Sequence, residues 1–200
     1  MLLKLVFVSA ISYLLGNFAT SYIVTRAFAK IDIREYGSGN AGSTNVLRVL
    51  GAKPAAIAFI GDVLKGVAAV LIGRYIAGSY GEILAGIFVV IGHDWPIVLN
   101  YKGGKGVATT IGVMIPINPL MVVGIVMAGV IVIVATRYVS LASVCGMLVF
   151  PATMIALRKP AEYIIFSLVL SAMAIYKHRS NIKRLISGTE SKIGHKVKNG

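Results

Sequence analysis

The sequence predicts an all-α membrane protein, a compact bundle of about seven transmembrane helices, some short or broken, and three observations carry that reading. Of 200 residues, 57% are hydrophobic, and the mean hydropathy of +0.84 implies more apolar surface than a soluble domain of this size can bury. The apolar residues fall into successive runs of membrane-spanning or near-spanning length. The net charge of +13 is therefore carried by the loops and ends. These features predict a single integral-membrane domain over 1–200, with membrane lipids and not nucleic acid as the partner of its basic surface.

The first span is expected over 2–24. It is too long for a signal peptide, and Gly16-Asn17-Phe18-Ala19-Thr20-Ser21 offers no small-x-small cleavage site. Its polar stripe of Ser9, Ser12, Asn17 and Ser21 is expected to face other helices. A polar, glycine-rich stretch follows over 26–53. The second span, 55–76, contains Asp62 and Lys65, which share a face at i and i+3 and can neutralise each other in the membrane. A short third span, 82–91, leads into His93-Asp94-Trp95-Pro96, where Pro96 predicts a kink or stop.

Between 106 and 136, two apolar pieces flank Pro116-Ile117-Asn118-Pro119. The first is about 18 Å long as a helix, short of the roughly 30 Å of hydrocarbon, and reads as a short or re-entrant helix. Spans over 140–157 and 161–176 follow, then a basic tail, 177–200. Placing Lys and Arg on the two sides gives fifteen on one face and four on the other, with Lys65 between, which accounts for all 20. The rich side is cytoplasmic by the positive-inside rule, so the N-terminus lies outside and the C-terminus inside.

That topology gathers three polar stretches at the cytoplasmic face. Ser38, Asn40, Ser43, Thr44 and Asn45 interleave with glycines, and Ser43 or Thr44 is expected to cap a short helix carrying Arg48. The stretch 102–106, Lys-Gly-Gly-Lys-Gly, offers backbone N–H groups, two cations and the start of a helix, a setting for phosphate. It is not a Walker A loop, because Leu99 stands five residues before Gly104 and Gly106 follows Lys105. A turning loop with positive-inside lysines explains the same residues. Further on, Arg137, Ser140 and Ser143 recur on one face, as do His178, Asn181 and Arg184. Lys196 and Lys198 read as anionic-lipid contacts, and Glu190 as half of a structural ion pair. Cys145 stands alone and only His93, His178 and His195 are present, which argues against a disulfide or a metal centre.

The motifs Gly37-Ser38-Gly39-Asn40-Ala41-Gly42-Ser43-Thr44-Asn45 with Arg48, Lys102-Gly103-Gly104-Lys105-Gly106 after Gly92-His93, and His178-Arg179 with Asn181, Arg184 and 188–194 resemble the PlsY family. These are bacterial integral-membrane glycerol-3-phosphate acyltransferases that use acyl phosphate as donor. The resemblance runs over nearly the whole chain in the right order. It implies a seven-span fold in the cell inner membrane and transfer of a fatty acyl group to the 1-hydroxyl of sn-glycerol 3-phosphate. Lysophosphatidate and inorganic phosphate would be the products, with no metal, cofactor, acyl-CoA or acyl carrier protein required. It also implies glycerol phosphate binding by Gly103, Gly104, Lys105 and Gly106. No oligomeric state follows, and a monomer satisfies the reading.

Chemistry agrees with the resemblance. An acyl phosphate is already an activated mixed anhydride, so positioning and charge stabilisation can supply much of the acceleration without a covalent acyl-enzyme. Arg48, Lys105 and Arg184 suit phosphate, and Ser38, Asn40, Ser43, Thr44, Asn45, His93, Ser143 and Arg179 complete the expected binding set. His178 is the expected base with Asn181 beside it in the catalytic role, unless the departing phosphate takes the proton. No His-x4-Asp motif is present, since Val98, Lys183 and Gly200 stand five residues after the three histidines. A triad of Ser143, His93 and Asp94 would need adjacent residues to adopt an unfavourable geometry. Alternatives from other classes are a phosphate-compound transporter, suggested by the short helices and the Asp62–Lys65 pair, and a structural lipid-binding subunit.

Overall fold

A computed structural model describes residues 1–194 of the chain, and every regular element among them is helical. Lys196 and Lys198, assigned above to lipid contact, and His195 lie outside the described residues. The described chain forms two compact units, 1–116 and 117–194.

The first unit opens with α1 (Leu2–Gly16) and α2 (Thr20–Ala29), which share one apolar stretch of 28 residues interrupted at Asn17-Phe18-Ala19. The expected 2–24 span is thus a broken helix. Within its polar stripe Ser12, Asn17 and Ser21 are buried and Ser9 is half-buried, as expected of a face turned toward other helices. A 3-10 turn, Ile33–Glu35, and α3 (Ser43–Leu50) fill the polar stretch. The cap of α3 is not Ser43 or Thr44. Gly42 occupies the N-cap position and no side chain caps it; both hydroxyl residues lie inside the first turn.

Helix α4 (Ala52–Asp94) is two limbs, because Ala77 and Gly78 leave helical geometry and Gly78 takes φ +62°. Gly73 and Gly81 would be about 12 Å apart in an unbroken helix. Instead, a side chain on either would strike the other's carbonyl, so the limbs run back along each other. Arg74 and Glu82 form an ion pair across the same reversal. The second limb stops at Asp94, before Pro96, as the expected corner requires.

Gly106, at φ +73°, turns the chain into α5 (Val107–Ile117). In the second unit, α6 (Pro119–Thr136) and α7 (Val139–Ala156) pack together, and α8 (Ala161–Lys177) packs on α7 with Phe150 and Phe166 meeting edge to face at 6.5 Å. A short α9 (Arg179–Ile186) is the last regular element among the described residues.

Among the described residues, four helical stretches are long and apolar enough to cross a membrane. Large apolar side chains are exposed along them, Leu3 at 82% and Leu120 at 80% among them, which water would not favour and lipid would. The architecture is an all-α bundle with several membrane-spanning helices, and the protein is a multi-pass membrane protein.

Candidate active site

In the first unit the two glycine-rich loops come together. Asn40 Nδ2 donates to the Gly103 carbonyl at 3.2 Å, and Arg34 Nη1 donates to the Leu99 carbonyl at 2.8 Å. Arg34 is itself held by Asp32, and this guanidinium hydrogen bond keeps the Asp32 carboxyl below its ordinary range. Asn45 is the hub of the earlier loop. Its amide nitrogen donates to the carbonyls of Ile33, Tyr36 and Asn40 at 3.1, 2.9 and 3.1 Å, and its oxygen accepts from the Ser38 N–H at 2.8 Å. A side chain that is 2% exposed and so occupied shapes the loop. The surface of that loop belongs to Ser38, which is exposed, and to the half-buried Asn40, Ser43, Thr44 and Arg48.

The second loop has a buried floor and a half-buried cation. Gly103, Gly104 and Gly106 are buried, while Lys105 is half-buried. At the start of α5, the position expected to attract an external anion, the chain supplies its own: the buried Asp94 carboxylate lies against Gly106.

Below this loop the expected Asp62–Lys65 pair forms at 2.8 Å, and it belongs to a larger cluster. Lys65 Nζ also reaches the carbonyls of Gly16 and Phe18, at 3.2 and 3.0 Å, and His93 Nδ1 at 2.8 Å. Those carbonyls are available because the first helix breaks there. Thr20 donates to Asp62 at 2.8 Å, and His93 Nδ1 lies 3.3 Å from the same Asp62 oxygen. His93 is therefore a buried ring wedged between a charge pair and the glycine loop. The corner it stands on is tied to the first helix: Asn17 Oδ1 accepts from Ile97 N at 2.6 Å, and Tyr13 donates to the Trp95 carbonyl at 3.0 Å.

The second unit has its own centre at Glu190. One carboxylate oxygen accepts from Ser140 at 3.0 Å and Asn181 at 2.8 Å, and the other accepts from Arg184 Nε at 2.7 Å. The ion pair expected of Glu190 is thus Arg184–Glu190. Burial alone would raise the Glu190 pKa, but the hydrogen bonds from Asn181, Arg184 and Ser140 outweigh it and hold the carboxyl below its ordinary range. The Nη groups of Arg184 make no hydrogen bond among the described residues. His178 turns inward. Its Nδ1 lies 2.8 Å from the Ala174 carbonyl, which can only accept, so Nδ1 carries a proton and Nε2 is the basic nitrogen of the neutral ring. Ser143 spends its proton on the Val139 carbonyl, and Arg179 is exposed and stacked on Tyr176 at 4.3 Å.

Sequence reasoning undervalued the buried floor. Asn17 belongs to the polar stripe of the first span and Thr20 does not, yet both hold the floor, and only the helix break shows what they hold. The signal was present, since Asn17, Asp62 and Lys65 all occur where a membrane helix carries few polar groups.

Fold and loops together define a polytopic α-helical membrane protein whose polar residues gather at glycine-rich loops and in the short helix that follows the spans. A family model described as glycerol-3-phosphate acyltransferase matches residues 6–188. The chain is 53% identical over 192 residues to a glycerol-3-phosphate acyltransferase of Thermoanaerobacter pseudethanolicus, covering 96% of this chain and 97% of the relative. With that of Clostridioides difficile it shares 50% identity over 197 residues, 96% of each chain. The crystal structure of PlsY, an integral-membrane glycerol 3-phosphate acyltransferase, matches in its glycerol 3-phosphate form with a TM-score of 0.91 and 34% identity, covering 95% of this chain and 96% of that one. The lysophosphatidic acid form of PlsY matches with a TM-score of 0.88 and 33% identity over 95% of both chains. The chain belongs to the glycerol-3-phosphate acyltransferase family, and it is an acyltransferase.

Proposed function

We infer that this protein transfers a fatty acyl group from acyl phosphate to the 1-hydroxyl of sn-glycerol 3-phosphate, yielding lysophosphatidate and inorganic phosphate. The observation that carries the reading is the match, over 95% of this chain, to a relative solved in a glycerol 3-phosphate form and in a lysophosphatidic acid form. Family membership decides for the enzyme over the transporter and the lipid-binding subunit.

In the reaction we propose, the glycerol hydroxyl oxygen attacks the acyl carbonyl carbon directly. The carbon–oxygen bond to the donor phosphate breaks, and phosphate leaves with the electron pair. The hydroxyl proton passes to His178 Nε2 or to the departing phosphate, and no covalent acyl-enzyme forms. Support for His178 comes from its Nδ1 contact with the Ala174 carbonyl, which leaves Nε2 as the base. Asn181 acts beside it. Arg48, Lys105 and Arg184 hold phosphate, while Ser38, Asn40, Ser43, Thr44, Ser143, Arg179 and Gly103 to Gly106 complete the binding groups. Asn45 and His93 act through the loops they shape. The chain functions as one acyltransferase domain over 1–200, with membrane lipids around it.

The seven-span reading counts the broken helix over 2–29 once, the two limbs of α4 separately, and then α5, α6, α7 and α8. Lysine and arginine distribution supports an N-terminus outside the inner membrane and active-site loops on the cytoplasmic face.

The test is phosphate release by purified protein in detergent. Release that requires both acyl phosphate and glycerol 3-phosphate supports transfer. Release from acyl phosphate at the same rate without the acceptor means hydrolysis and contradicts the proposal.

A further inference from the structure

We propose that His93, held by Lys65 and Asp62, is a positioning residue for the acceptor: its ring fixes the shape of the Gly103-Gly104-Lys105 loop that grips glycerol phosphate. The inference rests on the reading above, in which this loop binds the acceptor.

Two adjacent glycines carry the argument. A Cβ built on Gly104 would meet the His93 ring, and its three nearest atoms are Nε2, Cε1 and Cδ2 of that one side chain. A Cβ built on Gly103 would instead meet the His93 and Asp94 backbone carbonyls and Pro96. The obstacle at 104 is thus removable by mutation, and the obstacle at 103 is not. Ordinarily a ring tip swings aside to admit a methyl group. This ring is held, because Nδ1 lies 2.8 Å from Lys65 Nζ and 3.3 Å from Asp62 Oδ1.

Lys65 is held in turn. Its three protons face four acceptors within 3.2 Å: Asp62 Oδ1, the Gly16 and Phe18 carbonyls, and His93 Nδ1. Whichever tautomer His93 adopts, it shares a proton with one of the two charged neighbours, so the tether persists. The loop is also attached from the other side, where Gly104 N donates to the His93 carbonyl at 3.1 Å. Backbone and ring of one buried residue therefore set the path of the loop at Gly103 and Gly104.

The experiment is a double-mutant cycle on the purified full-length enzyme, reading KM for glycerol 3-phosphate, KM for acyl phosphate, kcat and Tm. His93→Asn keeps an amide atom near the Nδ1 position to satisfy Lys65 and empties the space under Gly104. Gly104→Ala alone is expected to raise KM for glycerol 3-phosphate about tenfold, with KM for acyl phosphate within about twofold of wild type. Adding His93→Asn to Gly104→Ala is expected to recover about fivefold of that loss, while the same addition leaves Gly103→Ala unimproved. A cycle in which His93→Asn gives Gly104→Ala no recovery, or relieves Gly103→Ala equally, overturns the proposal. So does a Gly104→Ala enzyme with wild-type KM values. If Gly104→Ala does not fold, restored folding and Tm in the double variant support the contact, and no restoration refutes it. Wild-type enzyme that forms no lysophosphatidate would instead sink the functional reading itself, a result separate from any outcome of the cycle.

Discussion

Each unit centres on a carboxylate with a cationic partner, but the two centres are built differently. Asp62 and Lys65 are 1% and 6% exposed, and their partners come from the first helix break and from His93, up to 49 residues away in sequence. Glu190 takes Asn181 and Arg184 from nine and six residues away, with Ser140 from α7, and the Arg184 side chain is 38% exposed. A pair enclosed among helices depends on each of its members, because losing one leaves the other charge buried and uncompensated. A pair at the end of a short helix keeps contact with water, and its cation retains a face for other work.

The largest effect should come from breaking the enclosed pair. Asp62→Ala leaves the Lys65 ammonium without its carboxylate and should destabilise the protein by about 3–5 kcal/mol, read as a lower Tm or lost folded yield in detergent. Asp62→Asn with Lys65→Met, which removes both charges together, should recover most of that loss. Equal stability for Asp62→Ala and wild type would remove the pair from the framework.

Next come the residues assigned to phosphate and catalysis. Arg48→Ala, Lys105→Ala and Asn181→Ala should each abolish most activity while the protein still purifies as a folded species. A wild-type rate in any one takes that residue out of the site.

Glu190→Gln should be milder, about 1–3 kcal/mol, since the amide retains an acceptor for Asn181 and Ser140. Its pH signature separates it from a packing defect. The folded carboxyl titrates below its ordinary value of 4.5. Its contribution to stability is therefore present above that value and is lost as pH falls through the lower folded pKa. Wild-type Tm should drop more steeply than that of Glu190→Gln on acidification below about 4.5. Parallel curves would contradict the hydrogen-bonded carboxylate.

Smallest is Arg179→Ala, which removes an exposed guanidinium stacked on Tyr176 and should raise a substrate KM by about two- to threefold while leaving kcat within about twofold of wild type. Unchanged KM values for both substrates would take Arg179 out of the binding groups.

This contrast also marks what the sequence could tell. The helices, the split at Pro116 to Pro119 and the stop before Pro96 were legible because apolar runs and prolines act locally. Glu190 was legible as an ion-pair partner because it is the lone acid in a basic tail, close in sequence to Arg184. Asp62 with Lys65 was legible as a pair, at i and i+3, but not as part of a four-way cluster. The carbonyls of Gly16 and Phe18 become acceptors only where the first helix breaks, and no periodicity announces that break. In the sequence Asn45 is one more amide among glycines and hydroxyls, and so reads as a ligand-binding residue. Only the folded loop shows those donors committed to Ile33, Tyr36 and Asn40.

The reaction assigned to the enzyme is acyl transfer from acyl phosphate to glycerol 3-phosphate. Its most direct test is the yield of lysophosphatidate from purified protein given glycerol 3-phosphate and either acyl phosphate or acyl-CoA in parallel reactions. Product from acyl phosphate and none from acyl-CoA is the expected result. Product from acyl-CoA alone, or none from acyl phosphate with folded protein, would contradict it.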